Sequence, residues 1–247
     1  MRIPILTYHS IDESGSVVST SPERFQRQMR QLHESSCQVL PLREIAIAVR
    51  ENRELPANAL AITFDDGFES VYSHAFPLLQ QFGFPATIFL VTGYCGRQSI
   101  WNRRTPKIGP APLATWGQIA EMSSWGIEIG SHTVTHPDLT LVRPAKAERE
   151  IRSSRRMIED RLSKPVTAFA YPFGHSNAEV RAMVEAQYQY ACSTRLGMVE
   201  SGSAPYRLKR VEMYYFSSEK HFESLLSGQA DSYLAVRGML RFVRALV

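Results

Sequence analysis

The stretch ALAITFDDG, residues 59–67, places six uncharged residues before two adjacent aspartates and a glycine. A short apolar run that ends in a turn signal is typical of a strand buried on both faces of a parallel sheet. Aspartate followed by glycine is an ordinary turn signal. However, two carboxylates directly after a buried strand are costly unless something uses them. Asp65 and Asp66 are therefore candidates for one metal ligand and one proton acceptor.

Six further apolar runs alternate with amphipathic segments on either side of this stretch. Apolar strands that alternate with helices predict an α/β fold, a parallel sheet covered by helices, and seven such units favour a barrel over an open sheet. The 247 residues, 44% of them hydrophobic, suffice for a single domain over 1–247, closed by a helix at about 232–247. Strands are expected at 3–8, 59–64, 86–91, 127–130, 166–171, 190–193 and 207–211, and the longest helix at 143–162.

Composition narrows the class of protein. The net charge is only +4, with no basic tract and no aromatic-basic RNA motif, so no nucleic-acid partner is expected. Cys37, Cys95 and Cys192 form no CxxC pair, which argues against a zinc ribbon or a redox dithiol. An odd cysteine count without a recognisable signal peptide favours a cytoplasmic location. No apolar run reaches about 18 residues, so no transmembrane helix is expected.

A second candidate motif, HTVTH at 132–136, follows the expected strand at 127–130. Two histidines four apart meet on one face if the segment is helical, which is a usual spacing for metal ligands. Such pairs are also common among ordinary surface or core histidines. In parallel α/β folds, the carboxyl ends of the strands form the rim that holds the active site. His132 and His136 should therefore lie beside the aspartates, which favours a metal site.

A third motif, AYPFG at 170–174, also ends an expected strand. The simplest interpretation is a plain turn. The functional alternative is a shaped loop whose backbone amide points at the reaction centre. Proline has no N–H to donate, whereas the amide of Phe173 has one.

The three motifs together resemble the first three motifs of the polysaccharide deacetylases, the NodB-homology group or carbohydrate esterase family four. The similarity rests on residues 63–67, 131–136 and 171–174. Their order and separation match the family, and the similarity covers most of the chain. The family's fold is a distorted (β/α)7 barrel, which agrees with the seven expected strands.

The resemblance implies that Asp66, His132 and His136 bind a divalent metal. Two histidines and one carboxylate leave an open position, as catalytic zinc requires. Zinc is the expected ion, although cobalt, nickel or manganese would suit similar ligands.

The resemblance also assigns roles around the metal. Asp65 would be the base that takes a proton from the attacking water, and the amide of Phe173 would help to form the oxyanion hole. Tyr171 and Pro172, in the same motif, are expected to contact the substrate.

The sequence departs from the family pattern at two places. The third motif usually carries an arginine where this chain has Ala170. Asp65 then needs another partner, for which Arg210 in LKRV is the candidate; the alternative is an ordinary surface arginine. The family's late aspartate-tryptophan and leucine-x-histidine motifs are also missing.

The N-terminal stretch LTYHSI, residues 6–11, suggests which residue takes the place of the missing histidine. It resembles the branch that deacetylates β-1,6-linked poly-N-acetylglucosamine, in which the acid histidine comes from the N-terminal end of the domain. That resemblance implies His9 as the general acid, and an imidazole with a pKa near neutrality suits protonation of an amine leaving group. The alternative is a core histidine that a backbone carbonyl satisfies. His175, beside the third motif, is a weaker candidate for the acid.

The expected function is metal-dependent removal of N-acetyl groups from an N-acetylglucosamine-containing glycan, with release of acetate. One alternative is an amidohydrolase acting on a small cyclic amide or ureide, since relatives of this fold do so. Another is an inactive carbohydrate-binding domain, against which the complete set of aspartates and histidines argues. The segment 93–112, expected to be a long loop near the site, suits either an open groove or a closed pocket.

Residues 233–246 alternate apolar side chains with Arg237, Arg241 and Arg244. The simpler interpretation is a helix packed on the barrel. The sharper hypothesis is a basic amphipathic helix that makes weak contact with a membrane surface.

Overall fold

The computed structural model describes residues 2–101 and 109–244. Its strands, in chain order, are β1 (Arg2–Ile3), β2 (Ile5–Tyr8), β3 (Ser10–Ile11), β4 (Ser19–Thr20), β5 (Gln38–Val39), β6 (Ala59–Phe64), β7 (Thr87–Leu90), β8 (Glu128–Ser131), β9 (Ala168–Ala170), β10 (Tyr190–Leu196), β11 (Val199–Glu200) and β12 (Leu208–Glu212). Its α-helices are α1 (Pro22–Glu34), α2 (Leu42–Glu51), α3 (Phe76–Phe82), α4 (Trp116–Trp125), α5 (Pro144–Leu162), α6 (Ala178–Glu185), α7 (Glu219–Leu226) and α8 (Asp231–Arg244).

Seven parallel strands close into a barrel in the order β2-β12-β10-β9-β8-β7-β6, and β6 pairs back onto β2. The closing register places Leu6 opposite Ile62 and Tyr8 opposite Phe64. A short strand, β5, pairs with β6 beside the barrel. The predicted single-domain (β/α)7 barrel is confirmed, and each of its seven strands overlaps an expected apolar run.

The barrel has two hydrophobic cores because side chains alternate across each strand. Along β6, Leu60 and Ile62 face the helices in the larger core, whereas Ala59 and Ala61 belong to the smaller core. The smaller core also includes buried side chains of α2. Small side chains inside a seven-stranded barrel leave room near its rim for polar groups, and the site is built there.

Two helices begin where local sequence signals place them. Thr115 and Gln118 form a complete capping box at the start of α4, as expected from their spacing. Pro144 opens α5, where its missing N–H costs nothing. After the aspartates, a π-helical turn, Val71–Ala75, precedes α3.

The closing helix α8 lies where a helix at about 232–247 was expected, while residues 245–247, including Leu246 of the predicted amphipathic segment, lie outside the described residues. Within the described part of the chain, no helix combines the length and the hydropathy needed to cross a membrane. Part of the loop expected at 93–112, residues 102–108, also lies outside the described ranges.

Candidate metal centre and active site

The polar candidates gather at the carboxyl ends of the barrel strands. Asp65 and Asp66 follow β6, His132 follows β8, and His9 follows β2. Arg210 lies within β12, with its side chain buried. In parallel α/β barrels this rim is where active sites form, so the expectation that these residues share one rim agrees with the structure.

Asp66, His132 and His136 bring three potential ligand atoms within 4.8 Å of one another. The Oδ1 atom of Asp66 is 3.6 Å from Nε2 of His132 and 3.5 Å from Nε2 of His136. Ligands of a tetrahedral zinc, each about 2.1 Å from the ion, lie about 3.4 Å apart. The three residues are buried, and Asp66 Oδ1 has no hydrogen-bond partner among the described residues. A divalent cation fits this cluster, since it would satisfy the otherwise costly carboxylate.

A hydrogen bond to the backbone fixes the tautomer of His132. Its Nδ1 lies 2.7 Å from the carbonyl oxygen of Ala170, so Nδ1 carries the proton and Nε2 keeps its lone pair towards Asp66. Burial, followed by the neighbouring His132, lowers the pKa of His136 well below its ordinary value. A histidine that stays neutral is the form that binds a metal.

The HTVTH segment is a loop, so its histidines do not meet on a helix face, the arrangement that would apply to a helical segment. Thr133 and His136 both have left-handed backbone, with φ of 70° and 56°. Glu150 of α5 holds the loop, because its carboxylate accepts hydrogen bonds from the amides of Val134 (2.9 Å) and Thr135 (2.8 Å). The loop held by Glu150 therefore brings the two histidines together. Their four-residue spacing identified the right pair, although a turn and not a helix face makes them converge.

Arg210 makes a bidentate contact with Asp65. Its two terminal nitrogens donate to Oδ1 at 2.7 Å and to Oδ2 at 2.6 Å, and both side chains are almost fully buried. Burial alone would raise the pKa of Asp65, but the charge and hydrogen bonds of Arg210 lower it well below the ordinary range. Asp65 is thus held ionised and oriented, and the contact expected to replace the missing arginine at Ala170 is present.

His9 lies next to the Asp65 carboxylate at the end of β2. Its Nε2 is 3.9 Å from Oδ2 of Asp65, and its Nδ1 is 3.8 Å from Oε1 of Glu212. Burial lowers the pKa of His9, yet the carboxylates of Glu212 and Asp65 outweigh it and the net direction is upward. A histidine whose pKa is raised and which lies beside the base suits a proton donor. Sequence reasoning missed Glu212, for which only its place two residues after Arg210 gave a signal.

The third motif forms a tight turn after β9. Phe173 has left-handed backbone, with φ of 58°, and its ring lies edge-on to His136 with centroids 4.6 Å apart. Gly174 also has positive φ, and a Cβ there would lie 2.7 Å from the backbone nitrogen of Thr194. Only glycine allows β10 to approach so closely. The turn therefore places the Phe173 ring beside the metal cluster.

Tyr171 and Pro172 do not face the rim, which corrects the expectation that they contact substrate. The Tyr171 side chain is fully buried, and its hydroxyl donates to the carbonyl of Tyr206 at 3.1 Å. Pro172 is also buried. A fully buried ring has no surface to offer a ligand. Both residues therefore support the turn and do not contact substrate.

An aromatic wall that sequence reasoning missed covers the metal cluster. Trp101 lies over His136, with ring centroids 5.2 Å apart and planes 30° from parallel. Tyr94 packs on the other side of Trp101 at 5.0 Å. With Phe173, these rings surround His136 by apolar surface, which fits a site that receives an acetyl methyl group or the face of a sugar ring.

The polysaccharide deacetylase family model matches residues 52–191. The chain belongs to the polysaccharide deacetylase family. It is therefore a hydrolase of the class that removes N-acetyl groups by cleaving a non-peptide C–N bond. The matched segment contains Asp65, Asp66, His132, His136 and Phe173.

Individual relatives agree with this assignment. YxkH of Bacillus subtilis (strain 168), which carries a polysaccharide deacetylase name, is 30% identical over 86% of this chain and 71% of its own. The poly-beta-1,6-N-acetyl-D-glucosamine N-deacetylase of Staphylococcus epidermidis is 27% identical over 84% of this chain and 71% of its own. The structure of the Streptococcus pyogenes deacetylase PplD in complex with acetate superposes with a TM-score of 0.73, at 27% identity, over 86% of this chain and 92% of that one.

Proposed function

We propose that this polysaccharide deacetylase removes N-acetyl groups from a glycan that contains N-acetylglucosamine, with zinc held by Asp66, His132 and His136. The observation that carries the proposal is the cluster of these three residues beside Asp65 on one rim. The relative from Staphylococcus epidermidis, named for poly-beta-1,6-N-acetyl-D-glucosamine, supports the choice of glycan. When bound, the divalent ion supplies Lewis-acid polarisation and lowers the pKa of water.

The chain's own residues then perform the proton transfers. Asp65, held ionised by Arg210, accepts a proton from the attacking water. The amide of Phe173 donates a hydrogen bond to the oxygen of the acetyl carbonyl as negative charge develops on it. His9, 3.9 Å from Asp65, donates a proton to the departing sugar amine. Acetate and a glucosamine unit are released.

The two alternative functions receive no support. The family model and both relatives indicate polysaccharide deacetylation, and none indicates a small cyclic ureide. An inactive binding domain would not need a buried Asp65–Arg210 pair or a buried cluster of ligand atoms, because unused buried charges destabilise the fold.

Acetate release tests the proposal directly. We expect release from N-acetylglucosamine oligomers, loss of release after treatment with a chelator, and recovery on addition of zinc. Allantoin is the comparison substrate, because hydrolysis of allantoin without acetate release from the oligomers would establish the ureide alternative instead. Cobalt, nickel and manganese are added in parallel arms to determine the preferred metal.

His9→Ala is expected to reduce turnover strongly while the metal content stays unchanged. A protonated His9 is required, so the rate falls as pH rises through its pKa. Since the charges of Glu212 and Asp65 raise that pKa, the alkaline limb of the pH–rate profile should lie at higher pH than an unperturbed histidine would give, and His9→Ala should remove the limb. Glu212→Gln should move the limb to lower pH.

His175→Ala and His33→Ala serve as controls, because His33 is exposed on α1 and His175 lies 2.6 Å from Asp138 rather than beside Asp65. Turnover of both should remain close to wild type at saturating substrate. Wild-type activity in His9→Ala, or an inactive His175→Ala, would show that another residue is the acid.

We also propose that α8 contacts an anionic membrane surface. Its inner face is anchored by Leu234, which is buried, and by Arg237, whose guanidinium lies 5.2 Å from the centre of the Tyr215 ring. Its outer face is apolar: Val236 is 54%, Met239 65% and Leu240 45% exposed. The sequence from 232 to 247 contains three arginines and no acidic residue, a charge that complements anionic lipid headgroups.

Sedimentation with vesicles tests the role of α8. The wild-type protein should sediment with vesicles rich in anionic lipid, less so at high salt, and poorly with neutral vesicles. Replacing Val236, Met239 and Leu240 with serine should abolish sedimentation without changing acetate release from soluble oligomers. Leu141→Ser is the matched control and should sediment like the wild type, since Leu141 is 82% exposed on a loop outside α8. Equal sedimentation of the triple variant and the wild type would leave α8 a packing role alone.

A further inference from the structure

A carboxylate–imidazole pair stands at the mouth of the site, outside the catalytic cluster. The Nδ1 atom of His175 lies 2.6 Å from Oδ2 of Asp138. The His175 side chain is 60% exposed, whereas that of Asp138 is 16% exposed. The mechanism proposed above uses neither residue, and the sequence motifs do not account for their contact.

Asp138 is held rigidly by its own loop. Its Oδ1 accepts hydrogen bonds from the amide of Thr140 at 2.9 Å and from the hydroxyl of Thr140 at 2.7 Å. The second carboxylate oxygen is then directed at His175. Because this contact occupies Nδ1, the ring presents Nε2 as its remaining polar atom, and within the described ranges no protein group is hydrogen-bonded to Nε2.

The pair is not needed to shape the turn that carries it. The turn already has a hydrogen bond from the amide of Gly174 to the carbonyl of Tyr171 at 2.8 Å. A second runs from the Thr194 hydroxyl to the carbonyl of Phe173 at 3.2 Å. An exposed ion pair adds little to stability. A fixed carboxylate behind an exposed imidazole instead orients the free ring nitrogen towards a ligand.

The surface next to His175 indicates the kind of ligand. The Phe173 ring is 47% exposed, and its centroid is 6.2 Å from that of His175. The same ring also contacts His136 of the metal cluster, with centroids 4.6 Å apart. An exposed apolar ring beside an oriented polar nitrogen matches a sugar unit, which has an apolar face of C–H groups and hydroxyl groups at its edge.

We propose that His175, oriented by Asp138, binds the sugar unit next to the one that is deacetylated. The Phe173 ring packs against the apolar face of that neighbouring unit, and Nε2 of His175 hydrogen-bonds one of its hydroxyl groups. This inference rests on the proposed function. It names a substrate-binding residue that acts on oligomers and not on the acetyl group itself.

The test compares oligomers with a substrate that has no second sugar. KM and kcat are measured for a series of N-acetylglucosamine oligomers and for 4-nitrophenyl acetate, using the metal-loaded wild type and His175→Ala. We expect KM for the longer oligomers to rise about five- to tenfold, as for the loss of one hydrogen bond. kcat should stay near wild type, and hydrolysis of the small ester should not change.

Two further variants sharpen the result. Asp138→Asn keeps the size of the side chain but loses the charge that orients His175, so a smaller rise in KM is expected. His74→Ala, at an exposed site on the segment before α3, should leave every constant unchanged. An unchanged KM for oligomers in His175→Ala would overturn the subsite, and an equal loss with the small ester would show that His175 only holds the turn. A wild type that releases no acetate from any oligomer would instead refute the proposed function itself, which separates the two failures.

Discussion

Alanine at any one of Asp66, His132 or His136 is expected to remove the metal and nearly all deacetylase activity. Each residue contributes one of three ligand atoms that lie within 4.8 Å of one another. Among the described residues the cluster contains no further histidine, cysteine or carboxylate, so the two remaining ligands would have no protein replacement for the one removed. A two-ligand site binds divalent ions far more weakly than a three-ligand site with an open position.

Elemental analysis of the purified variants gives the measurement, with circular dichroism to show that each variant is folded. His33→Ala is a suitable control, since it removes an imidazole from an exposed position on α1 and should retain the full metal content. Full occupancy in all three ligand variants would show that the metal lies elsewhere. Retention in one variant alone would remove that residue from the set.

A second readout does not depend on turnover. Metal that binds the folded state alone stabilises it by an amount that grows with the logarithm of the metal concentration over Kd, so the melting temperature rises as metal is added. The wild type should therefore gain thermal stability with added zinc, and the three ligand variants should lose most of that gain. Replacing Asp66, whose Oδ1 is buried without a hydrogen-bond partner among the described residues, with alanine should also stabilise the metal-free protein, since it removes an uncompensated polar atom.

The barrel was predictable because its strands are buried on both sides. A strand such as β6, in which all six residues are buried, carries no charged residue and only one polar one, Thr63, so its sequence alone marks its position. Two-residue strands such as β3 and β4 carry no such pattern. They were not predicted, since two residues hold too little periodicity to distinguish a strand from a loop.

The candidate site was predictable where strand ends carry polar residues, and not where distant elements supply them. Asp65 and His132 directly follow buried strands, so their position on the rim followed from the fold. Glu150 holds the HTVTH loop from the middle of α5, and Trp101 covers His136 from a long loop. Nothing in the sequence near either residue signals these contacts, which depend on how the elements pack.

Arg210 supplies the guanidinium that the family pattern places at position 170, where this chain has alanine. The barrel explains how an arginine on a different strand can take this role. Ala170 ends β9 and Arg210 lies in β12, yet both belong to strands that border β10. The interior of a closed barrel can be reached from any strand, so a guanidinium from β12 can contact the carboxylate that follows β6. The sequence indicated the absence of the arginine at 170, while the burial of Arg210 required the structure.

Asp65→Asn is expected to keep the metal while turnover falls about a hundredfold or more, the range typical of losing a general base. Asparagine has nearly the same shape but cannot accept the proton. Since Asp65 is not among the three clustered ligand residues, metal content should match the wild type. The variant should also be less stable, because Arg210 would be left buried without a counter-charge, a loss of about 3–5 kcal/mol for comparable buried pairs.

The pH dependence of Arg210→Gln distinguishes a base from a merely structural carboxylate. In the wild type Arg210 lowers the pKa of Asp65 well below its ordinary range, against the opposing effect of burial. Asp65 is therefore ionised throughout the working range, and no acid limb should arise from it. Without the guanidinium, burial would raise the pKa of Asp65, so the rate of Arg210→Gln should fall as the pH decreases, along a limb absent from the wild type.

Release of metal from Asp65→Asn would show that Asp65 and Asp66 have exchanged roles. A pH profile of Arg210→Gln that matches the wild type would mean that the titration of Asp65 does not control the rate.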